Sequence, residues 1–317
     1  MAVGDGNNDV SMINEAHVGV GLYGNEGLRA VQASDFAVPE FQQLWRLIFF
    51  HGRSRYASIS SFILYFFYKN IALTLPHYFY AYWCGFSAMT VFDEWYIQLY
   101  NIIFTSLPVI LLGVFDWDIH PGLDGDEFSD YLPLLYYAGQ QRTLFNVRTF
   151  FFATFQGVAH SAVIFYITFL GLSDSAILNG EMGYAKDLWT SSLTAFTALV
   201  ITVNLNLILR MRYITYMHAL SFVIVSFGLY LTFMWFTNFV DFGWMQYSVY
   251  EAHRSLNFYM IIALTVGICF SLDLAYECYL VLIKTSPTSY LRLLVNKGFT
   301  IDSKKNKEQF EKLSLQV

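Results

Sequence analysis

Ser61-Phe62-Ile63-Leu64-Tyr65-Phe66-Phe67-Tyr68-Lys69-Asn70-Ile71-Ala72-Leu73-Thr74-Leu75-Pro76-His77-Tyr78-Phe79-Tyr80-Ala81-Tyr82-Trp83 carries a single formal charge, at Lys69. At about 1.5 Å of rise per residue, a helix of this length crosses the roughly 30 Å of hydrocarbon in a bilayer. Five further apolar blocks of similar length follow, at about Trp95 to Phe115, Phe150 to Leu172, Leu188 to Leu209, Ala219 to Phe236 and Phe258 to Ile283. Of the 317 residues 56% are hydrophobic and 13% charged, against roughly 25% charged in a soluble domain. That balance excludes a disordered or nucleic-acid-binding chain and predicts an α-helical polytopic membrane protein with six transmembrane helices. Cys84, Cys269 and Cys278 lack metal-type spacing and read as packing residues.

The connectors give an orientation. Arg142, Arg148, Arg210, Arg212, Lys284, Arg292, Lys297, Lys304, Lys305, Lys307 and Lys312 fall on one side, together with Arg29, Arg46, Arg53 and Arg55 before the first span. The other side holds Lys186 and Arg254. By the positive-inside rule both termini face the cytoplasm, and the carboxylates of the acidic loop (Asp116, Asp118, Asp124, Asp126, Glu127 and Asp130) weigh little against that. The net charge of −6 therefore says little about partners. The basic run Lys304-Lys305-Asn306-Lys307 reads either as a solvated tail or as an attractor of anionic head groups.

Residues 1–55 are a different material, mixed in polarity and rich in glycine. Met1 to Val3, His17 to Leu22 and Phe36 to Val38 read as strands, and Val10 to Ala16 and Glu26 to Ala33 as helices, which is the βα alternation of a parallel sheet. So short a segment makes a small core, and its first strand begins at Met1, so the expectation is a truncated α/β unit. No basic region followed by an apolar stretch opens the chain, so a signal peptide is not expected.

Gly4-Asp5-Gly6-Asn7-Asn8-Asp9-Val10-Ser11-Met12 places two glycines, two carboxylates and two amides between a strand end and a helix start. Glycines permit a tight turn, a helix N-terminus favours phosphate, and paired carboxylates can hold Mg²⁺ through oxygen. Taken alone, the string also fits a plain Asp-capped turn.

The string Gly-Asp-Gly-x-Asn-Asp-x-x-Met matches the hinge motif of the P-type ATPases. Ser11 to Gly21, Glu26-Gly27, Ala30-Val31, Ser34-Asp35-Phe36-Ala37, Leu44-Trp45-Arg46-Leu47 and His51-Gly52-Arg53 resemble the type IV branch, the phospholipid flippases. So do Tyr65 to Ile71, Trp95-Tyr96, Tyr100-Asn101, Phe104-Thr105-Ser106-Leu107-Pro108 and Leu112 to Asp116, after which the likeness thins to Leu135-Tyr136 and Gly139-Gln140. The resemblance implies that the six spans are the last six of ten. It also implies that residues 1–41 are a remnant of the haloacid-dehalogenase-like phosphorylation domain, with a stalk at 42–60, the membrane domain at 61–283 and a cytoplasmic tail at 284–317.

In that family the first motif aspartate helps hold Mg²⁺ at the phosphorylation site, a role carried here to Asp5. Asn8 and Asp9 match the neighbouring polar pair at the phosphate end, with Asp9 a second candidate for the metal. ATP is the driving nucleotide of the intact enzyme. The family's phosphorylated aspartate lies in Asp-Lys-Thr-Gly-Thr, a string this sequence does not contain. The expectation is a C-terminal fragment that by itself neither forms a phosphoenzyme nor turns over ATP. The resemblance further implies a phospholipid substrate moved to the cytoplasmic leaflet. It also implies a two-span accessory β-subunit, with Ser173 to Lys186 a plausible contact.

Lys69 lies about 12 Å inside the first span, and a lysine near a helix centre costs roughly 2.5 to 3.5 kcal/mol on insertion scales. It is therefore a substrate-path candidate, with a cap on backbone carbonyls as the plain alternative, and the family also carries a lysine beside an asparagine here. Asn70 and Asn101 are the expected partners along a head-group groove, with Asn101 about 9 Å in from the other side. Pro76 and Pro108 free the carbonyls of Ala72 and Phe104. Asp273 and Glu277 read as a boundary pair or a proton site, and His160, Asn204 and Asn206 as hydrogen-bonding residues between helices. The aromatic surplus reads mostly as lipid-facing packing and interfacial belt, as at Trp83, Trp95, Trp235 and Trp244. Rival functions are a non-catalytic scaffold or inactive paralogue, and a secondary transporter that leaves Gly4 to Met12 without a role.

Overall fold

The computed structural model describes residues 1–24, 28–117, 142–173, 188–239 and 248–282. The acidic loop from Asp118 onward, the loop beyond Ser173 expected to contact a β-subunit, Trp244 and the tail 284–317 lie outside these residues.

Three short strands, β1 (Ala2–Gly4), β2 (Gly19–Leu22) and β3 (Phe36–Val38), form a parallel sheet in the order β1-β2-β3. Ala2 lies opposite Gly19, and Val20 opposite Phe36. Parallel neighbours need a crossover, supplied by α1 (Val10–Glu15) and α2 (Arg29–Ala33). Ala2, Ile13 and Ala30 close one small core, while Val20, Val38 and Leu44 close a second with Leu47 and Ile48 against them. Leu44, Leu47 and Ile48 already belong to the next element, so the sheet rests directly on the root of the first span.

That element, α3 (Gln43–Trp83), is a helical run of 41 residues. Leu47–Gly52 is wound with wider π-type turns, and Pro76 lies inside the rod without ending it. The other candidate spans are α4 (Glu94–Phe115), α5 (Val147–Ser173), α6 (Leu188–Arg210), α7 (Tyr216–Phe239) and α9 (Leu256–Leu282), with the short α8 (Ser248–Arg254) between the last two. Six helices are thus long and apolar enough to cross a membrane among the described residues. The bundle is organised around α6, whose residues from Thr190 to Val200 are all buried.

Aromatic residues build the interior as well as the rim. Trp83, Trp95 and Trp235 are exposed as expected, but the largest fully buried side chains are mainly aromatic, including Tyr65, Tyr68, Tyr96, Tyr100, Tyr230, Phe104 and Phe196. Phe196 of α6 packs edge-on against Tyr96 and Phe92, with ring centroids 5.2 and 5.3 Å apart. Exposed aromatic side chains nevertheless outnumber these buried ones among the described residues, in keeping with a mostly outward-facing surplus. Helices in lipid gain nothing from apolar burial as such, and large rings give dispersion contact inside the bundle instead. Cys269 is buried as a packing residue, whereas Cys278 is exposed.

Asp116 fastens one end of the bundle. Its Oδ1 accepts the backbone N–H groups of Arg212 and Tyr213, each at 2.9 Å, and its carbonyl accepts the Ser58 hydroxyl at 2.7 Å. The Arg55 guanidinium reaches the Val114 carbonyl and lies 5.0 Å from the Trp117 ring centre. The root of α3, the end of α4 and the turn after α6 are thereby tied together.

Candidate functional site

The loop after β1 is shaped by one carboxylate. Asp9 Oδ2 accepts the backbone N–H of Asp5 at 3.2 Å and of Gly6 at 3.3 Å, so it closes the loop on itself. A Cβ on Gly4 would stand 2.4 Å from Asp9 Cβ, which is why a glycine precedes Asp5. Arg29 at the start of α2 donates to the Asn7 amide oxygen at 3.3 Å and braces the far side. Asp5 and Asn8 are left exposed, and Asp9 is half-buried. The loop thus presents the Asp5 carboxylate outward while one Asp9 oxygen is engaged by its own backbone. No cluster of three or more His, Cys, Asp or Glu residues able to hold a metal occurs among the described residues. Mg²⁺ commonly takes one or two carboxylates and keeps several waters, so Asp5 suits a single protein ligand, with Asp9 beside it.

Lys69 lies deep in the bundle at 2% exposure. Its Nζ donates to Thr105 Oγ1 at 2.8 Å and stands 5.5 and 5.7 Å from the ring centres of Phe66 and Tyr100. A break in α4 makes this possible. Residues Tyr100–Phe104 adopt π-type turns, and both the backbone N–H and the hydroxyl of Thr105 point back to the Tyr100 carbonyl, at 3.1 and 2.7 Å. The extra residue in that turn rotates Thr105 inward, and such π-bulges recur at functional positions. Tyr100 adds a hydroxyl bond to the Lys69 carbonyl at 3.2 Å. The carbonyl that Pro108 frees, on Phe104, accepts the Ser226 hydroxyl of α7 at 2.6 Å. The broken helix is therefore repaired by a neighbouring side chain, as non-helical backbone at membrane depth requires.

The three expected substrate-path residues are not equally placed. Lys69 is buried, Asn70 is half-buried, and Asn101 is exposed on the outside of the bundle beside exposed Ile102. Thr105 and Tyr100, not Asn101, meet Lys69. The signal was Pro108, because a proline three residues after a threonine marks where the helix ladder must open.

A second polar constellation joins four spans. Asp273 of α9 accepts Gln156 Nε2 of α5, Asn206 Nδ2 of α6 at 2.6 Å, and His160 Nε2 of α5 at 3.1 Å. Arg210 Nε donates to Asn206 Oδ1 at 2.7 Å, and its terminal nitrogen donates to Gln156 Oε1. His160 Nδ1 meets the Tyr68 hydroxyl at 2.6 Å. Asp273 is buried as the hub of an interhelical network, and Glu277 is half-buried one turn further along. His160 and Asn206 do join helices, whereas Asn204 donates to Val200 within its own helix. The i, i+4 spacing of Gln156 with His160, Asn206 with Arg210 and Asp273 with Glu277 puts a polar face on each of three spans.

A family model described as the C-terminal region of phospholipid-translocating P-type ATPases matches residues 31–286. The chain is 44% identical over 218 residues to the human "Probable phospholipid-transporting ATPase IM", covering 69% of this chain and 18% of that protein. It is 43% identical over 222 residues to the Xenopus tropicalis "Phospholipid-transporting ATPase IC", covering 70% of this chain and 17% of that protein. With the mouse "Phospholipid-transporting ATPase IC" the match is 38% over 276 residues, 85% of this chain and 21% of that protein. The chain thus spans about a fifth of the length of these relatives. A six-helix membrane bundle, a short parallel sheet resting on its first helix and a match over most of the sequence place the chain in the phospholipid-translocating P-type ATPase family.

Proposed function

We propose that this chain is the membrane-embedded C-terminal part of an ATP-driven flippase that moves phospholipid from the exoplasmic or lumenal leaflet to the cytoplasmic one. Lys69 carries the reading. It is a buried cation inside a spanning helix, held by one neutral hydroxyl and two ring faces. An ammonium has three donors, so it keeps capacity for a phosphate or carboxylate of a lipid head group. Charges in spans are costly and mark substrate paths. Asn70, next along the helix, belongs to the same proposed path, while Asn101 would meet a lipid at the bundle surface.

Asp5 is the proposed Mg²⁺ ligand, with Asn8 and Asp9 at the phosphate end and Asp9 as second metal candidate. Mg²⁺ there supplies charge neutralisation during phosphoryl transfer. The chain's own contribution is to hold the Asp5 carboxylate outward by closing the loop through Asp9. Sheet movement reaches the bilayer through Leu44, Leu47 and Ile48, because these residues pack under the sheet and continue into α3. Both termini are assigned to the cytoplasm from the basic residues of the connectors. A two-span β-subunit remains the proposed partner on the opposite side.

The test uses the full-length transporter reconstituted with phospholipid. Lys69→Ala is expected to raise the lipid concentration for half-maximal ATP hydrolysis about tenfold, the equivalent of ~1.4 kcal/mol. Asp5→Ala is expected to shift the Mg²⁺ dependence of phosphoenzyme formation. An unchanged lipid requirement overturns the Lys69 assignment, and an unchanged Mg²⁺ dependence overturns that of Asp5.

A further inference from the structure

We infer that Tyr68, His160 and Asp273 form a proton-binding site inside the bundle, which takes one proton at His160 Nδ1 and reverses the hydrogen bond holding the first span. Donor counting sets the direction of every bond but one. Arginine has only donors, so the amide oxygens of Asn206 and Gln156 must face Arg210. Their NH₂ groups then face Asp273, which receives both of them as an acceptor. With Asp273 ionised, and so an acceptor only, the third contact, His160 Nε2 at 3.1 Å, is an N–H.

That leaves His160 Nδ1, 2.6 Å from the Tyr68 hydroxyl. In the neutral ring Nδ1 accepts the Tyr68 O–H. In the imidazolium Nδ1–H donates to the Tyr68 oxygen, and the hydroxyl proton turns away. A phenol serves as donor or acceptor, so one proton enters and no hydrogen bond to the ring is lost. The added positive charge lies beside the Asp273 carboxylate, which suits a charge-assisted bond.

All four packed elements contribute groups around the site. Tyr65 and Tyr68 face it from α3, and Gln156 and His160 from α5. Arg210 faces it from α6, with its guanidinium 5.5 Å from the Tyr68 ring centre, and Cys269 and Asp273 face it from α9, with Glu277 beyond. Tyr65 itself donates to the Val203 carbonyl at 2.9 Å. Lys69 turns the other way, to Thr105.

The site can act on transport because it grips α3 one residue from Lys69. At Gly157 the helices nearly touch, since a Cβ there would come within 3.0 Å of the Tyr68 carbonyl. Protonation changes which partner directs the Tyr68 bond, and with it the hold of α5 on the segment presenting Lys69. This consequence rests on the flippase reading; the proton site itself does not.

The experiment has two readouts on the full-length transporter in phospholipid vesicles. Histidine-labelled protein is followed by ¹⁵N solid-state NMR over roughly pH 5 to 9, the range in which histidines usually titrate. The His160 signal is identified by its loss in His160→Gln. It is expected to convert from neutral to cationic in one step, and Tyr68→Phe, which keeps the ring, is expected to move the pH of that conversion. Across the same range the half-maximal lipid concentration is expected to change several-fold, bounded by about tenfold per pH unit for one proton, and less than about twofold in His160→Gln. A His160 signal that stays in one form throughout, or one unmoved by Tyr68→Phe, overturns the site. A lipid requirement with the same pH dependence in wild type and His160→Gln overturns its link to transport. Conversion of His160 in a protein whose ATP hydrolysis ignores lipid upholds the proton site and removes the flippase reading alone.

Discussion

Lys69 and Asp273 are buried to nearly the same degree, at 2% and 5% exposure, yet the bundle treats the two charges in opposite ways. Asp273 collects three donors from two neighbouring helices, and two of those donors are themselves aimed by Arg210. Lys69 has one neutral hydroxyl and the faces of two rings. A buried charge is tolerated when its hydrogen-bonding capacity is met, and is reactive or receptive when it is not. Asp273 meets three donors and Lys69 a single hydroxyl among the described residues, which is why Lys69 is the proposed lipid contact.

The largest effect is expected at the satisfied charge. Asp273→Ala leaves Gln156, Asn206 and His160 without their acceptor and should lower stability by about 3–5 kcal/mol, as breaking buried charge networks does. Thermal unfolding of the detergent-solubilised transporter reads this directly. A loss near zero would mean that the network contributes little to stability. Gly157→Leu comes next, at about 1–3 kcal/mol for overpacking, because the new side chain meets the Tyr68 backbone and Ile71. It should also part Tyr68 from His160, visible as an altered His160 ¹⁵N shift.

On the Lys69 side the effects are smaller and sharpen the contrast. Thr105→Val removes the hydroxyl on the ammonium together with its bond to the Tyr100 carbonyl, and should cost about 1–3 kcal/mol. Part of that cost should disappear when Lys69→Met is already present, leaving the lost bond to the Tyr100 carbonyl, and a cycle showing no coupling would break the pairing. Lys69→Met alone should change stability by less than about 1 kcal/mol, since Thr105 keeps its bond to the Tyr100 carbonyl at 2.7 Å. Its phenotype should instead be lost lipid affinity, measured by lipid-stimulated ATP hydrolysis.

Much of the architecture was legible because it is written locally. The apolar blocks have a length set by the bilayer, and their ends fall within a few residues of the helices observed, except that the first helix runs back through the stalk to Gln43. The βα alternation around Val10, Val20 and Phe36 likewise predicted three parallel strands, and the structure sets their order. The Gly4–Asp9 loop could be read because the hydrogen bonds that close it through Asp9 span four residues or fewer. The intramembrane partners were harder. Asn101 reads as a polar residue at a useful depth, but depth does not fix which way a side chain points. One π-turn at Tyr100–Phe104 turns Thr105 inward and leaves Asn101 on the surface. His160 and Asp273 are 113 positions apart along the sequence, and nothing in either span names the other.

By itself, then, the sequence determined six helices, a small parallel sheet ahead of them, an aspartate at a tight turn and one lysine within the first span. These follow from hydrophobic length, glycine stereochemistry and the cost of unpaired charge, all properties of short stretches. Only the tertiary structure decided which partners each buried charge meets. Hydrogen bonds between spans depend on helix rotation to within a fraction of a turn, and that rotation is fixed by side chains packing from several helices at once: Gly157 against Tyr68, Phe196 among its rings, and Ser226 on the carbonyl that Pro108 frees.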